Sequence, residues 1–417
     1  MSRMTISAFL SKAKQSLSQS LKSKGEHPAS FVIGNESADL DSITCALVYV
    51  YIHSSTPEAR KAEKCMIPVS NIPSSELRLR PELTALLKHA GLKPTDLVTL
   101  DDLGKIQDVL PPNTTDWTLV DHNVLQGTLG EHYSDRIVGV IDHHDDEGKV
   151  SKDAKPRIIE KTGSCNSHVV NYCRESWDSI SSMASTTGAA HGQGDGALDD
   201  AAYTSTWDAQ VATLALGSIL IDTINMEAEH KVTDHDRKAV KYLEAKINAS
   251  AKLGPKYDRN AFFAEISDAK SDLSDVNLEE ILRKDYKQWD DGGLALGISS
   301  VVQPIEYLLT NKLDSLANFV PALLNYAKGR KLDLFAVMTA HNASDTFERQ
   351  LLLLTVEEGK AVEVAEKFAN ENSKELQLEE SDVEIDGSKA VWMKTWEQKD
   401  LAASRKKVAP LLREAMK

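Results

Sequence analysis

The sequence predicts a two-domain α/β protein: an N-terminal domain with a mainly parallel sheet flanked by helices, and a C-terminal domain with a mixed sheet and helices. Three observations predict it. A chain of 417 residues is longer than one ordinary core organises. Its first half repeats short, β-branched apolar runs, each ending in carboxylate or imidazole, as buried parallel strands do at a ligand crevice. From about Leu253 that habit stops, and longer strands alternate with helical stretches and two basic clusters. The expected boundaries are 1–235 for the first domain, with 179–205 as a flexible insertion, 236–254 as a helical linker, and 255–417 for the second domain.

Composition narrows the function classes. Apolar residues make up 41% of the chain, and no window approaches about 18 uninterrupted apolar residues, so no membrane span is expected. Cys45, Cys65, Cys165 and Cys173 show no CxxC or zinc spacing, and reduced intracellular thiols account for them. A net charge of −15 argues against general nucleic-acid binding. A polyanionic substrate would need a local basic patch or metal ions. The stretch through about Lys24 is basic, Ser-rich and amphipathic, but Arg3 is its one arginine. It is read as the N-terminal helix of a cytosolic protein, not as a mitochondrial presequence.

Taken in order, Phe31-Val32-Ile33-Gly34 reads as the first strand and a helix is expected from about Ser42 to His53. Between them Asp39 and Asp41 lie two apart, so an extended loop points both carboxylates the same way. Asp41 alone would be an ordinary cap of that helix, leaving Asp39 unexplained. Leu97–Leu100 ends in Asp101-Asp102, Thr118–Val120 in Asp121-His122-Asn123, and Ile137–Ile141 in Asp142-His143-His144. Four such endings predict one crevice rich in metal ligands. Gly163–His168 opens a helix whose small and hydroxyl residues suit phosphate as well as a plain cap. The apolar helix from Ala209 to Ile221 ends in Asp222, an acid where the helix dipole disfavours one. In the second half, Ala295–Val302, Leu332–Thr339, Gln350–Val356 and Ala390–Trp396 read as strands, with basic runs at 283–287 and 404–407.

Gly34-Asn35, Asp39-x-Asp41-Ser42, Asp121-His122-Asn123, Asp142-His143-His144 and Asp222-Thr223 resemble, in order and spacing, the motifs of the DHH phosphoesterase superfamily. The second half is similar to the DHH-associated C-terminal domain through Asp285-x-Lys287 and Ser404-Arg405-Lys406-Lys407. Within the superfamily the resemblance is closest to fungal-type cytosolic exopolyphosphatases, relatives of family II inorganic pyrophosphatases and prune-type proteins. The resemblance implies an active site in the cleft between the domains and two divalent ions there, magnesium or manganese, or cobalt. Asp41, Asp121, His143 and Asp222 would hold one ion, and Asp39 and Asp121 the other. Asn35 stands where the pyrophosphatase pattern has histidine and would be a weak ligand. Asp121, His143 and His144 would carry catalysis, with His144, Arg283, Lys287, His341, Arg405 and Lys406 binding substrate. The implied activity is release of orthophosphate from the end of inorganic polyphosphate by a cytoplasmic monomer that binds neither nucleic acid nor membrane. An inorganic pyrophosphatase, a prune-like short-nucleotide phosphodiesterase and a phosphate-sensing binding protein are the alternatives.

Overall fold

Residues along the central strands of the first sheet alternate between two cores. Phe31 and Ile33 of β1 (Ala29–Ile33) face one core and Val32 the other. Leu119 and Val120 of β4 (Thr115–Val120), and Val140 and Ile141 of β5 (Ile137–Asp142), divide the same way. A strand buried on both faces has no polar side to show, which is why these runs read as continuous apolar sequence. The structure is a computed structural model; it describes residues 4–61, 66–190, 196–313, 315–343 and 346–417. Cys65 lies outside them; the other three cysteines are buried free thiols.

The chain divides into two compact units, Met1–Ala269 and Lys270–Lys417. The first carries a parallel sheet in the order β3-β2-β1-β4-β5-β6, with β2 at Met66–Ser70, β3 at Val98–Thr99 and β6 at Arg157–Ile159. The chain winds outward from β1 to β3 and then returns to β4. The loops after β1 and β4 therefore flank a topological switch point, where open α/β sheets bind ligands. β2 was not foreseen because Pro68, paired with Val32, is an unusual residue inside a sheet.

Helix α1 (Ile6–Lys22) buries Ile6, Phe9, Leu10, Ala13 and Leu17, a spacing that places them on one face. Helix α2 (Leu40–Ser54) follows β1 and is buried almost throughout. Helices α3 (Cys165–Ala190) and α4 (Gly196–Asp222) run antiparallel: Asn166 donates to Ser218 at 2.7 Å and Trp177 to Asp208 at 2.8 Å. The segment expected as a flexible insertion is thus helical where described, and residues 191–195 lie outside the described residues. Helix α5 (Asp234–Asn248), expected as part of a linker, belongs to the first unit and buries Ala239, Val240, Leu243 and Ile247 in its core. No helix among the described residues is long and apolar enough to cross a membrane.

The second unit is a mixed sheet in the order β13-β14-β12-β9-β8-β7. Its strands are β7 (Tyr286–Asp291), β8 (Leu294–Val301), β9 (Leu334–Thr339), β12 (Gln350–Thr355), β13 (Leu378–Glu380) and β14 (Trp392–Gln398). Only the β8–β9 pair is parallel. A separate hairpin joins β10 (His341–Ala343) and β11 (Thr346–Glu348). β7 sits at the sheet edge with half-exposed residues, so its polar sequence hid it among the basic residues expected before the first strand.

Candidate active site

The ends of β1, β4 and β5 meet; the end of β3 does not. Asp121 lies immediately after β4, 2% exposed, with φ +61. That left-handed conformation is uncommon outside glycine, and Asp121 is held in it by neighbours on every side. Its Oδ2 accepts from Ser42 Oγ at 2.7 Å and from Asn35 Nδ2 at 2.8 Å. Its Oδ1 lies 3.1 Å from His143 Nε2 and 3.8 Å from His144 Nδ1. Asp121, His143 and His144 form the group able to hold a metal ion among the described residues.

His143 is 5% exposed, and its Nδ1 lies 3.0 Å from the carbonyl oxygen of Thr162. A carbonyl only accepts, so Nδ1 carries the proton and Nε2 is the atom facing Asp121. A neutral imidazole would then oppose a nitrogen lone pair to a carboxylate oxygen, a contact that is favourable only when a cation is shared. A proton can fill that place, and so can a metal ion. Neighbouring ligands of an octahedral ion with bonds of ~2.1 Å stand about 3.0 Å apart, and the 3.1 Å observed matches. The donation of Nδ1 to a backbone carbonyl is also the usual support of a ligating histidine. The residues present fit a divalent ion.

Asp142, fully buried, organises the pair of histidines. Its Oδ1 accepts from the His143 and His144 backbone N–H groups at 2.7 and 3.1 Å and from His144 Nδ1 at 2.8 Å. Asn123 donates to its Oδ2 at 2.6 Å. Burial pushes the Asp142 carboxyl up, but the His144 ring, Asn123 and His143 outweigh it and hold the group well below the usual carboxylate range. Asp142 and Asn123 were absent from the expected site residues, although both stand inside the quoted motifs.

The residues around this group are placed as follows. The cap of α2 is Asp39, whose Oδ1 accepts from Ser42 N at 2.9 Å, because the helix starts at Leu40 and not at Ser42. Asp41 is instead buried against the start of α3. It accepts from Ser164 Oγ at 2.7 Å, Cys165 N at 2.7 Å, and Asn166 N and Nδ2 at 3.1 and 2.9 Å. Burial raises the Asp41 carboxyl, yet His143 and these donors leave it below its ordinary value. This helix start, which in sequence suits phosphate as well as a plain cap, holds a carboxylate. The Asn35 amide oxygen accepts from Ser37 N and Ala38 N at 2.9 and 3.2 Å, and its NH2 faces Asp121. Asp101 and Asp102 also leave the crevice. β3 is separated from β1 by β2, two strand spacings of about 4.8 Å each, and its acids bind Ser74 and Thr99.

Asp222 closes α4 and is followed by three non-glycine residues at positive φ: Ile224 (+51), Asn225 (+54) and Met226 (+70). In the second unit, Arg405 donates to the Asp285 carbonyl and carboxylate at 2.8 and 2.6 Å. Burial pushes the Asp285 carboxyl up, but Arg405 and, less strongly, Lys287 hold it below its ordinary value. Arg283 closes the short Leu278–Lys284 helix before β7, and Lys406 is exposed on the first turn of the Arg405–Met416 helix. His341 is placed differently. It is buried at the start of β10, 3.6 Å from Glu348, with Glu306 and Glu397 also acting on it.

The sequence pattern of the DHH family, N-terminal domain, matches residues 30–192, and that of the DHHA2 domain matches residues 264–415. A Schizosaccharomyces pombe protein named "Putative exopolyphosphatase" is 35% identical over 93% of this chain and 91% of its own length. The chain belongs to the DHH family. This DHH phosphoesterase is also 26% identical to Homo sapiens "Exopolyphosphatase PRUNE1" over 93% of this chain and 76% of the relative. A manganese-dependent inorganic pyrophosphatase of Methanothrix thermoacetophila is 25% identical over 74% of this chain and 80% of the relative. The crystal structure of a "Methanococcus jannaschii putative family II inorganic pyrophosphatase" shares the fold, with a TM-score of 0.56 at 20% identity, covering 93% of this chain and 99% of that one.

Proposed function

We propose that this DHH phosphoesterase is an exopolyphosphatase that hydrolyses the terminal phosphoanhydride bond of inorganic polyphosphate with two divalent ions. The contact between His143 Nε2 and Asp121 Oδ1, two acceptor atoms that need a shared cation, is the observation that carries the reading. In it Asp41, Asp121, His143 and Asp222 would hold one ion, and Asp39 and Asp121 the other. Asp41 would exchange some of its bonds to the α3 start for the ion. Bound divalent ions supply a water of lowered pKa and neutralise charge on the reacting phosphate. Asn35 and Ser42 hold Asp121 in its left-handed conformation, and Asp142 holds His144 facing the substrate phosphate. Arg283, Lys287, Arg405 and Lys406 of the second unit engage the polyanion, which answers how a chain of net charge −15 attracts one. The buried thiols Cys45, Cys165 and Cys173 suit a reducing compartment, and the reading extends to a cytoplasmic monomer.

Parallel phosphate-release assays on polyphosphate, pyrophosphate and a cyclic nucleotide, with and without a chelator, test it. The expected result is metal-dependent release chiefly from polyphosphate. Release chiefly from pyrophosphate would move the assignment to the pyrophosphatase relatives, and none from any substrate would leave a binding protein.

A further inference from the structure

Asp236 lies in the first turn of α5, fully buried, and collects more donors than a helix cap uses. Thr233, its capping partner, supplies two, N at 2.7 Å and Oγ1 at 2.8 Å. The others come from a segment about seventy residues earlier: Thr162 Oγ1 at 3.0 Å, Gly163 N at 3.0 Å, Ser164 N at 3.3 Å and Ser167 Oγ at 2.6 Å. The fit is tight. A Cβ on Gly163 would stand 3.0 Å from Asp236 Oδ2 and 2.6 Å from Thr223 Cγ2.

That segment supports two candidate ligands. The Thr162 carbonyl accepts from His143 Nδ1, and Ser164, Cys165 and Asn166 donate to Asp41. One carboxylate, remote in sequence and touching neither ligand, fixes the backbone that orients both. We propose that Asp236 is a positioning residue of the metal centre: by pinning Thr162 and Gly163 it presents the Thr162 carbonyl to His143, so that Nδ1 keeps the proton and Nε2 is left to ligate. This rests on the metal reading above. A bare capping residue would stabilise α5 and leave the ion's affinity alone, whereas outer partners of ligating histidines change metal affinity by roughly 10–100-fold.

The test compares wild type, Asp236→Asn, Asp236→Ala and Leu243→Ala, the last a core truncation about two turns farther along the same helix. Thermal melting records stability, calorimetric titration of the metal-stripped protein with Mn2+ records affinity, and histidine 15N NMR records the His143 tautomer. Asp236→Ala should weaken Mn2+ binding by roughly 10–100-fold, with a mixed tautomer signal at His143. Asp236→Asn should fall between, because its remaining oxygen still accepts. Leu243→Ala should melt earlier while binding Mn2+ as wild type does. Folded Asp236 variants with wild-type affinity and tautomer overturn the role. So does an equal loss in Leu243→Ala, which would make the effect mere destabilisation. A wild type that binds no Mn2+ overturns the metal reading first and this role with it.

Discussion

Replacing Asp121 with glycine should give a more stable protein than replacing it with alanine, the reverse of the usual order. At ordinary backbone angles alanine is favoured over glycine by about 0.5–1 kcal/mol, since glycine loses more freedom on folding. Asp121 sits at φ +61, where a Cβ approaches the following carbonyl and costs roughly 1–2 kcal/mol. Both substitutions delete the same carboxylate, with its contacts to Ser42, Asn35 and His143, so those losses cancel in the comparison. What remains is the strain less the entropy difference, a net preference for glycine of up to about 1.5 kcal/mol. Urea unfolding, scored on the transition of the first unit, measures it. Phosphate release should be abolished in both variants. An alanine variant more stable than the glycine variant by about 0.5–1 kcal/mol would show that no strain is stored at this position and would remove the argument that its neighbours hold it there.

Four further outcomes follow from the same geometry. Asp236 has a carboxyl that burial raises but that Ser167, Thr233 and Gly163 hold below its ordinary value; with the folded pKa depressed, its stabilisation is present above the ordinary carboxylate range and lost as pH falls below about 4. Asp236→Asn should therefore flatten the acid limb of a melting-temperature profile. Gly163→Ala should cost about 1–3 kcal/mol by overpacking and depress phosphate release, since its Cβ would stand 2.6 Å from Thr223 Cγ2; unchanged melting would mean that the segment yields freely. Ile224→Gly, at φ +51 on an exposed, β-branched residue, should stabilise by about 1 kcal/mol in the same unfolding assay. Lys406→Ala should raise the KM for polyphosphate with kcat retained and flatten its salt dependence, because an exposed cation acts over roughly a Debye length.

The strand endings that form the site were legible because a parallel strand buried on both faces leaves its first polar residues where the crevice begins. Asp121 and Asp142-His143-His144 could be found that way. The endings alone do not say which strands are neighbours, so Asp101 and Asp102 looked equivalent until β2 came between. Nor does spacing show that Asp39 caps α2, which starts two residues early, at Leu40. The direction of the Asn35 amide depends on a turn that offers it the Ser37 and Ala38 N–H groups. Asp236 was invisible for a further reason: a single acid in a charged helix carries no signal, and its partners lie about seventy residues away. In the second unit, the regular strands β8, β9 and β12 were readable from their apolar runs, whereas the edge strand β7 was not.

The antiparallel pairing of α3 and α4 has a practical consequence for anyone wishing to label this protein. At the near end Asn166 touches both Asp41 and Ser218; farther along, Ser181 and Trp177 meet Asp208. At 1.5 Å per residue, the step from Asn166 to Ser181 carries the chain about 22 Å from the chemistry. A fluorophore or affinity tag attached at the exposed Ser182 or Met183 would sit at that distance along α3 from its Asn166 end. Such a position offers a handle for tethering the enzyme to a surface, or for following one molecule at a time.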